Sequence, residues 1–176
     1  MEYKFRDLKA NEIDCRISTV KQNGLSLLLY KDARVDMDIL DETVGPMNWQ
    51  RKHLRDNANC IIEIWDDDKK QWVSKEDTGT ESFAEKEKGL ASDSFKRAGF
   101  NWGIGRELYT APFIWVDAKD CKIEDSKRKD SYGNTIYTCK DRFVVEAIQI
   151  IDKVITGLSI KNEKTSKRVF VYKKGV

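Results

Sequence analysis

The alternation of apolar and polar positions divides this chain into many short strands and two helical stretches. Residues 15–30 alternate about an Asn23-Gly24 pair, which predicts a β-hairpin closed by a tight primed turn with positive φ at both residues. Residues 31–44 change to a helical spacing. Val35, Ile39, Leu40 and Val44 form an apolar stripe, Asp36, Asp38, Asp41 and Glu42 fall on the outer side, and Gly45-Pro46 ends the helix. Strands are then predicted at residues 47–55, 59–65 and 71–78. The polar connections between them are of hairpin length, so the three strands read as an antiparallel meander.

Residues 82–102 predict a long helix. At about 100° per residue, Ala84, Ala91, Phe95, Ala98 and Trp102 share one narrow face that should pack on the meander, and Lys88 lies in the same stripe. Gly99, Gly103 and Gly105 loosen the chain beyond it, and Pro112 closes the region. The β pattern returns at residues 113–116, 134–139, 143–151, 154–160 and 168–172, while the charge-rich stretch 117–132 reads as an exposed loop. The fold class is therefore α+β, with residues 1–116 as a core and residues 117–176 as a C-terminal β-rich extension of the same domain.

Composition adds limits. Apolar residues make up 40% and charged residues 35% of the 176 positions, which is the balance of a soluble globular chain. The apolar runs at 25–30 and 143–151 are too short to span a bilayer as a helix, and the charged first ten residues do not resemble a signal peptide. A cytoplasmic protein, in a bacterial or phage-infected cell, is the expectation. Cys15, Cys60, Cys121 and Cys139 are widely spaced and read as free thiols in a reducing compartment. His53 is the only histidine, which excludes a multi-histidine metal site within one chain. The net charge is only +2, so any nucleic-acid footprint must be local or be concentrated by assembly.

Three side-chain sets are candidates for chemistry. Lys88, Lys96, Arg97 and Arg106 lie on or just after the long helix among Gly89, Ser92, Gly99, Gly103 and Gly105. Small residues let a phosphate backbone approach the main chain, and cations neutralise phosphates regardless of base sequence. The same cations also fit a solvated helix face, with Asp93 spaced four residues before Arg97 for a helical ion pair. Trp49, Arg51, His53 and Arg55 share one face of the first meander strand, an arrangement that suits base stacking and phosphate pairing or a mixed exposed sheet face. Glu63, Asp66, Asp67, Asp68, Asp77, Glu81 and Glu85 offer carboxylates for a magnesium nuclease, although Asp66 to Asp68 fit a turn better. The sequence contains no nucleotide-binding P-loop and no nucleophile elbow.

The order of elements and several local motifs resemble the Rad fifty-two family of single-strand annealing proteins, and its short bacteriophage and prophage (Sak-type) members in particular. The resemblance covers residues 32–116. It rests on Ala33-Arg34-Val35 opening a helix, on Gly45-Pro46-Met47-Asn48-Trp49 entering the meander, and on Lys75-Glu76-Asp77-Thr78-Gly79-Thr80-Glu81-Ser82 closing it. It continues through Glu85-Lys86-Glu87-Lys88-Gly89 and Ser92-Asp93-Ser94-Phe95-Lys96-Arg97-Ala98 into Asn101-Trp102-Gly103-Ile104-Gly105-Arg106-Glu107-Leu108-Tyr109.

Membership would imply a curved antiparallel sheet crossed by a long helix. It would also imply homo-oligomeric rings or filaments with single-stranded DNA along a rim groove. The implied activity is annealing of complementary strands in recombination and double-strand break repair, without nucleotide hydrolysis and without a metal or other cofactor. The protein would not be an enzyme, and a single-strand-binding protein is a further partner in this setting. Family DNA contacts carry over to Arg34, to Lys96 and Arg97, and to Lys69 or Lys70 in the hairpin between the second and third meander strands. One turn after its Lys-Arg pair the eukaryotic member has another basic residue. This chain has Phe100 there, and Arg106 is the nearest replacement. Passive coating of single strands and metal-dependent cleavage are the rival functions.

Overall fold

The computed structural model describes residues 3–80 and 86–175, with the backbone alone at 86–88. The elements in chain order are β1 (Asp14–Lys21), β2 (Gly24–Tyr30), α1 (Ala33–Val44), β3 (Trp49–Leu54), β4 (Asn59–Asp66), β5 (Gln71–Thr78) and α2 (Lys86–Trp102). They continue with β6 (Ile114–Asp117), β7 (Ile123–Lys129), β8 (Thr135–Cys139), β9 (Phe143–Ile151), β10 (Val154–Asn162) and β11 (Arg168–Lys173). The fold is α+β, with antiparallel strand pairing throughout. The chain forms two compact units. The first comprises Met1–Asp7 and Asp32–Arg106, and the second Leu8–Lys31 and Glu107–Val176. The β1–β2 hairpin, expected with the N-terminal core, thus groups with the C-terminal strands.

The first unit holds the expected meander, in the order β3-β4-β5, with α2 packed on it. Strand β4 alternates cleanly: Cys60, Ile62 and Ile64 are buried, while Ile61, Glu63 and Trp65 point the other way. Phe95 and Ala98 of α2 are fully buried, and Trp102 donates its indole N–H to the Ile62 carbonyl at 3.2 Å. Ser82 and Ala84, expected in the first turn of this helix, lie outside the described residues. Gly79 follows β5 and lets it approach α2: a Cβ there would lie 2.6 Å from the Ser94 nitrogen, which is backbone and cannot swing away. Gly79→Ala is therefore expected to destabilise the protein by about 1–3 kcal/mol, as overpacking does, measured by urea unfolding.

Helix α1 starts at Asp32, whose side chain accepts from the Arg34 N–H at 2.8 Å, and stops at Gly45, with φ +85 and its N–H on the Asp41 carbonyl. Ile39, Leu40 and Val44 are buried as the stripe predicts. Asp36 is not on the outer side as expected. It is fully buried against α2, where only a glycine at position 99 leaves room: a Cβ there would sit 2.8 Å from the Asp36 carboxylate.

The second unit is built on a six-stranded sheet in the order β11-β10-β9-β1-β2-β6. Its edge strands β6 and β11 come into contact, so the curved sheet is nearly closed. Leu25, Leu27, Ile114, Val116, Phe143, Ile155, Leu158 and Ile160 form its core. Glu107 is fully buried beside them, accepts from the Leu8 N–H at 2.7 Å and lies 3.9 Å from Lys153 Nζ.

Two expectations about this unit change. Neither Asn23 nor Gly24 has positive φ, and the turn falls on Gln22 and Asn23. Gly24 is needed for closeness instead, since a Cβ would stand 2.5 Å from the Trp115 ring and from the Val116 carbonyl oxygen on β6. The stretch 117–132 is also not all loop. It contains β7, which pairs with β8 as a separate two-stranded sheet. Charged residues fill β7 and hide any apolar alternation.

Candidate nucleic-acid interface

All the candidate cations belong to the first unit. Arg34 opens α1 and is fully solvent-facing. Its guanidinium makes two bonds to the Asp32 carboxylate, at 3.0 and 3.2 Å. Asp32 is held at a pKa of about 2, chiefly by the Arg34 side-chain hydrogen bond, then by the Arg34 N–H, with smaller contributions from the charges of Arg34 and Lys96. The charge of Lys96 therefore reaches the same carboxylate from α2. Arg34 is the ion-pair partner of Asp32, and Lys96 acts on it only through longer-range charge. Lys96 itself makes no ion pair among the described residues, and neither does Arg51.

An aromatic and cationic stack joins β3 to α2. Trp49 of β3 stacks on Phe95 with ring centroids 6.2 Å apart, and its indole N–H donates to Asp41 at 2.6 Å. The Arg51 guanidinium lies over the Phe95 ring at 4.8 Å while remaining exposed. His53 follows on the same face, with Nδ1 at 3.4 Å from the Ser94 hydroxyl. Burial and then the Arg51 charge lower its pKa from the ordinary 6.5, so it is neutral at neutral pH. The shared face expected for Trp49, Arg51 and His53 is present, and it is the face on which α2 packs. Arg55 does not join it. Strand β3 ends at Leu54, and Arg55 starts a turn with φ +50.

Arg97 points to the other side of α2. Its Nε is 3.6 Å from Asp77 Oδ1 of β5, and it finds no hydrogen-bond acceptor. The helical pair expected between Asp93 and Arg97 is replaced by this contact, because Asp93 instead accepts from the Thr80 N–H at 2.9 Å. Arg106 folds back onto the end of α2 and donates to the carbonyls of Phe100 at 2.8 Å and Asn101 at 3.0 Å. It adds a side-chain cap to the C-terminal end of the helix, where the Phe100 carbonyl also accepts the Gly103 N–H at 3.0 Å. Lys75 joins it there, donating to the Asn101 carbonyl while lying 4.5 Å above the Trp102 ring.

Lys69 and Lys70 lie at the tip of the β4–β5 hairpin, paired with Asp66 at 3.0 Å and Asp67 at 3.4 Å. Lys69 borders a cleft of about 330 Å³ that Tyr3, Trp65 and Trp102 also line. The Lys88 side chain lies outside the described residues.

The acidic candidates are dispersed. Glu63 is on the far face of the meander, bonded to Gln50, Ser74 and Lys52, Asp66 bonds the turn backbone, and Asp77 faces Arg97. Glu81 and Glu85 lie outside the described residues. Among the described residues, no group of three or more His, Cys, Asp and Glu side chains is placed to hold a metal ion. No helix of the described residues is long and apolar enough to cross a membrane.

The site is thus a set of local cations, four of which face carboxylates: Arg34, Lys69, Lys70 and Arg97. The pairs of Arg34 with Asp32 and Lys70 with Asp67 are exposed on both sides; such pairs contribute about 0–1 kcal/mol each, so an incoming phosphate can exchange with the carboxylate there at small cost. Residue spacing alone did not reveal Asp32 as the carboxylate paired with Arg34. Its position just before a helix marked it only as a cap. Comparison with known protein families, with curated proteins and with solved structures finds no match.

Proposed function

We propose that this protein binds single-stranded DNA through the first unit and anneals complementary strands without nucleotide hydrolysis, as a homo-oligomer in phage-encoded recombination and repair. The observation that carries this reading is Arg34, exposed at the start of α1 and paired with the Asp32 carboxylate at 3.0 and 3.2 Å, with the charge of Lys96 acting on the same carboxylate at longer range. These are two of the positions to which the resemblance assigns DNA contact, and they come from separate elements. Arg51, exposed above the Phe95 ring of α2, is a further cation of the same unit. The DNA backbone would replace Asp32 as the anion at Arg34, with Lys96, Arg97 and the hairpin lysines as further contacts. Binding of this kind needs no acid–base pair and no metal. Lining up the few cations of each subunit by assembly would give a chain of net charge +2 enough field to grip a strand.

Charge exchange at Asp32 tests the reading. Asparagine is as good a helix cap as aspartate, so Asp32→Asn keeps α1 and removes the competing carboxylate. It should tighten binding of an oligo(dT) strand by about two- to fivefold at low salt, since a unit charge at about 4 Å in water is worth about 1 kcal/mol. Arg34→Ala should weaken binding by a similar factor. Fluorescence anisotropy reads both. Shifts of the same sign, or none in either variant, would remove Arg34 and Lys96 from the interface.

A further inference from the structure

The basic excess of this protein is not in the unit that holds the candidate site. The first unit carries 14 Lys and Arg against 18 Asp and Glu, whereas the second carries 18 against 12. Its most exposed basic feature is the β7–β8 hairpin. All ten residues from Lys127 to Ile136 are exposed, and Lys127, Arg128 and Lys129 are consecutive. The strand pairing slips between Asp125 and Lys129, where Lys127 takes φ +60. Lys127 lies 3.8 Å from Asp125, but Arg128 and Lys129 have no ion pair among the described residues. At the hairpin's base, Glu124 is held below the usual carboxylate range, first by the hydrogen bond from Lys122 and also by the charge of Lys140.

The tip is fixed in shape. The Asp130 carboxylate accepts from the N–H groups of Tyr132 at 2.8 Å and Asn134 at 2.9 Å, and from the Asn134 amide at 3.1 Å. Gly133 supplies φ +84, and its N–H bonds the Asp130 carbonyl. This turn holds out Tyr132, which is 89% exposed. Lysines on an exposed edge have a simpler use, since they discourage edge-to-edge aggregation. A tyrosine presented at the tip works against that use. Cations and a preformed aromatic platform within six residues match the way proteins hold unpaired nucleic acid: backbone neutralisation plus stacking on a base.

We propose that the β7–β8 hairpin is a contact site for single-stranded nucleic acid, with Arg128 and Lys129 on phosphates and Tyr132 stacked on a base. The site belongs to the second unit and does not depend on the annealing reading. The probe is a fluorescein-labelled 30-nucleotide oligo(dT), compared with a duplex of the same length. Arg128→Ala with Lys129→Ala should weaken oligo(dT) binding about tenfold. It should also flatten the log–log salt dependence by about 1.4, because each single-strand phosphate contact contributes about 0.7. Tyr132→Ala should weaken binding about tenfold, as loss of one stacked base does, without changing the salt slope. Its effect on the duplex should be small.

The substituted side chains are exposed, so melting temperatures should stay at the wild-type value and confirm folding. Wild-type affinity and slope in both variants would overturn the proposal. So would equal losses on single strand and duplex for Tyr132→Ala, or failure of the wild-type chain to bind oligo(dT). If Lys96→Ala with Arg97→Ala binds like wild type while the hairpin variants do not, the first-unit site fails and the hairpin site stands.

Discussion

Replacing Phe95 with alanine is expected to destabilise the protein by about 3–5 kcal/mol, the range for truncating a buried phenylalanine. Phe95 has no exposed surface. It is the largest α2 side chain in the core of the first unit, stacked on Trp49 and covered by the Arg51 guanidinium at 4.8 Å. Truncation leaves a cavity under α2 and also removes the aromatic and cation–π contacts, which are worth about 0.5–1.5 kcal/mol each. Because Arg51 rests on this ring, single-strand binding should weaken in the variant even where it remains folded. Urea unfolding followed by tryptophan fluorescence reads the loss, and Phe95→Leu should fall between the two. A loss below about 0.5 kcal/mol, the size of an ordinary surface change, would show that Phe95 does not anchor the helix.

Alanine at both Lys96 and Arg97 should have the opposite profile: little change in stability and at least a tenfold loss of oligo(dT) affinity, equivalent to about 1.4 kcal/mol. The two residues differ in their surroundings: Arg97 faces Asp77, whereas Lys96 makes no ion pair among the described residues. Neither holds the core. Asp77 keeps its bond from the Thr78 N–H at 2.7 Å and from the Asn101 amide at 3.3 Å when Arg97 is removed. The salt dependence should flatten by about 1.4 for two lost phosphate contacts. Wild-type affinity at physiological salt would contradict a first-unit site.

Much of the fold was legible because its strands alternate. The pattern located β5 and β9 to the residue, and the meander followed from short polar connections that leave no room for crossovers. What escaped was set by tertiary contact. Asp36 looks solvent-facing on a helical wheel but is buried against α2, beside Gly99. Gly24 looks like a turn residue, yet it makes room for Trp115 on a strand 90 residues away. Strand β7 escaped because five of its seven residues are charged, which leaves no apolar alternation to read. The candidate site was legible in part. Trp49, Arg51 and His53 share a face because a strand has a period of two. Ion pairs such as Arg97 with Asp77 depend on how α2 lies on the sheet, which local spacing does not encode. The capping role of Arg106 could have been suspected from its place just after a helix with no basic residue in its last turn.

Trp65 and Trp72 meet edge-on at 5.6 Å on the far face of the meander, with Trp72 39% exposed. An aromatic surface of that kind serves a protein that merely coats a strand as well as one that anneals, so affinity alone does not separate the two. The rate of pairing does. Two complementary oligonucleotides carrying a fluorophore and a quencher, mixed with the protein without ATP, test the central claim most directly. Duplex formation should be faster than in protein-free buffer and unchanged by chelation of divalent metal. Slower pairing would make the protein a passive single-strand binder, and magnesium-dependent cleavage of the strands would make it a nuclease; either would contradict the account.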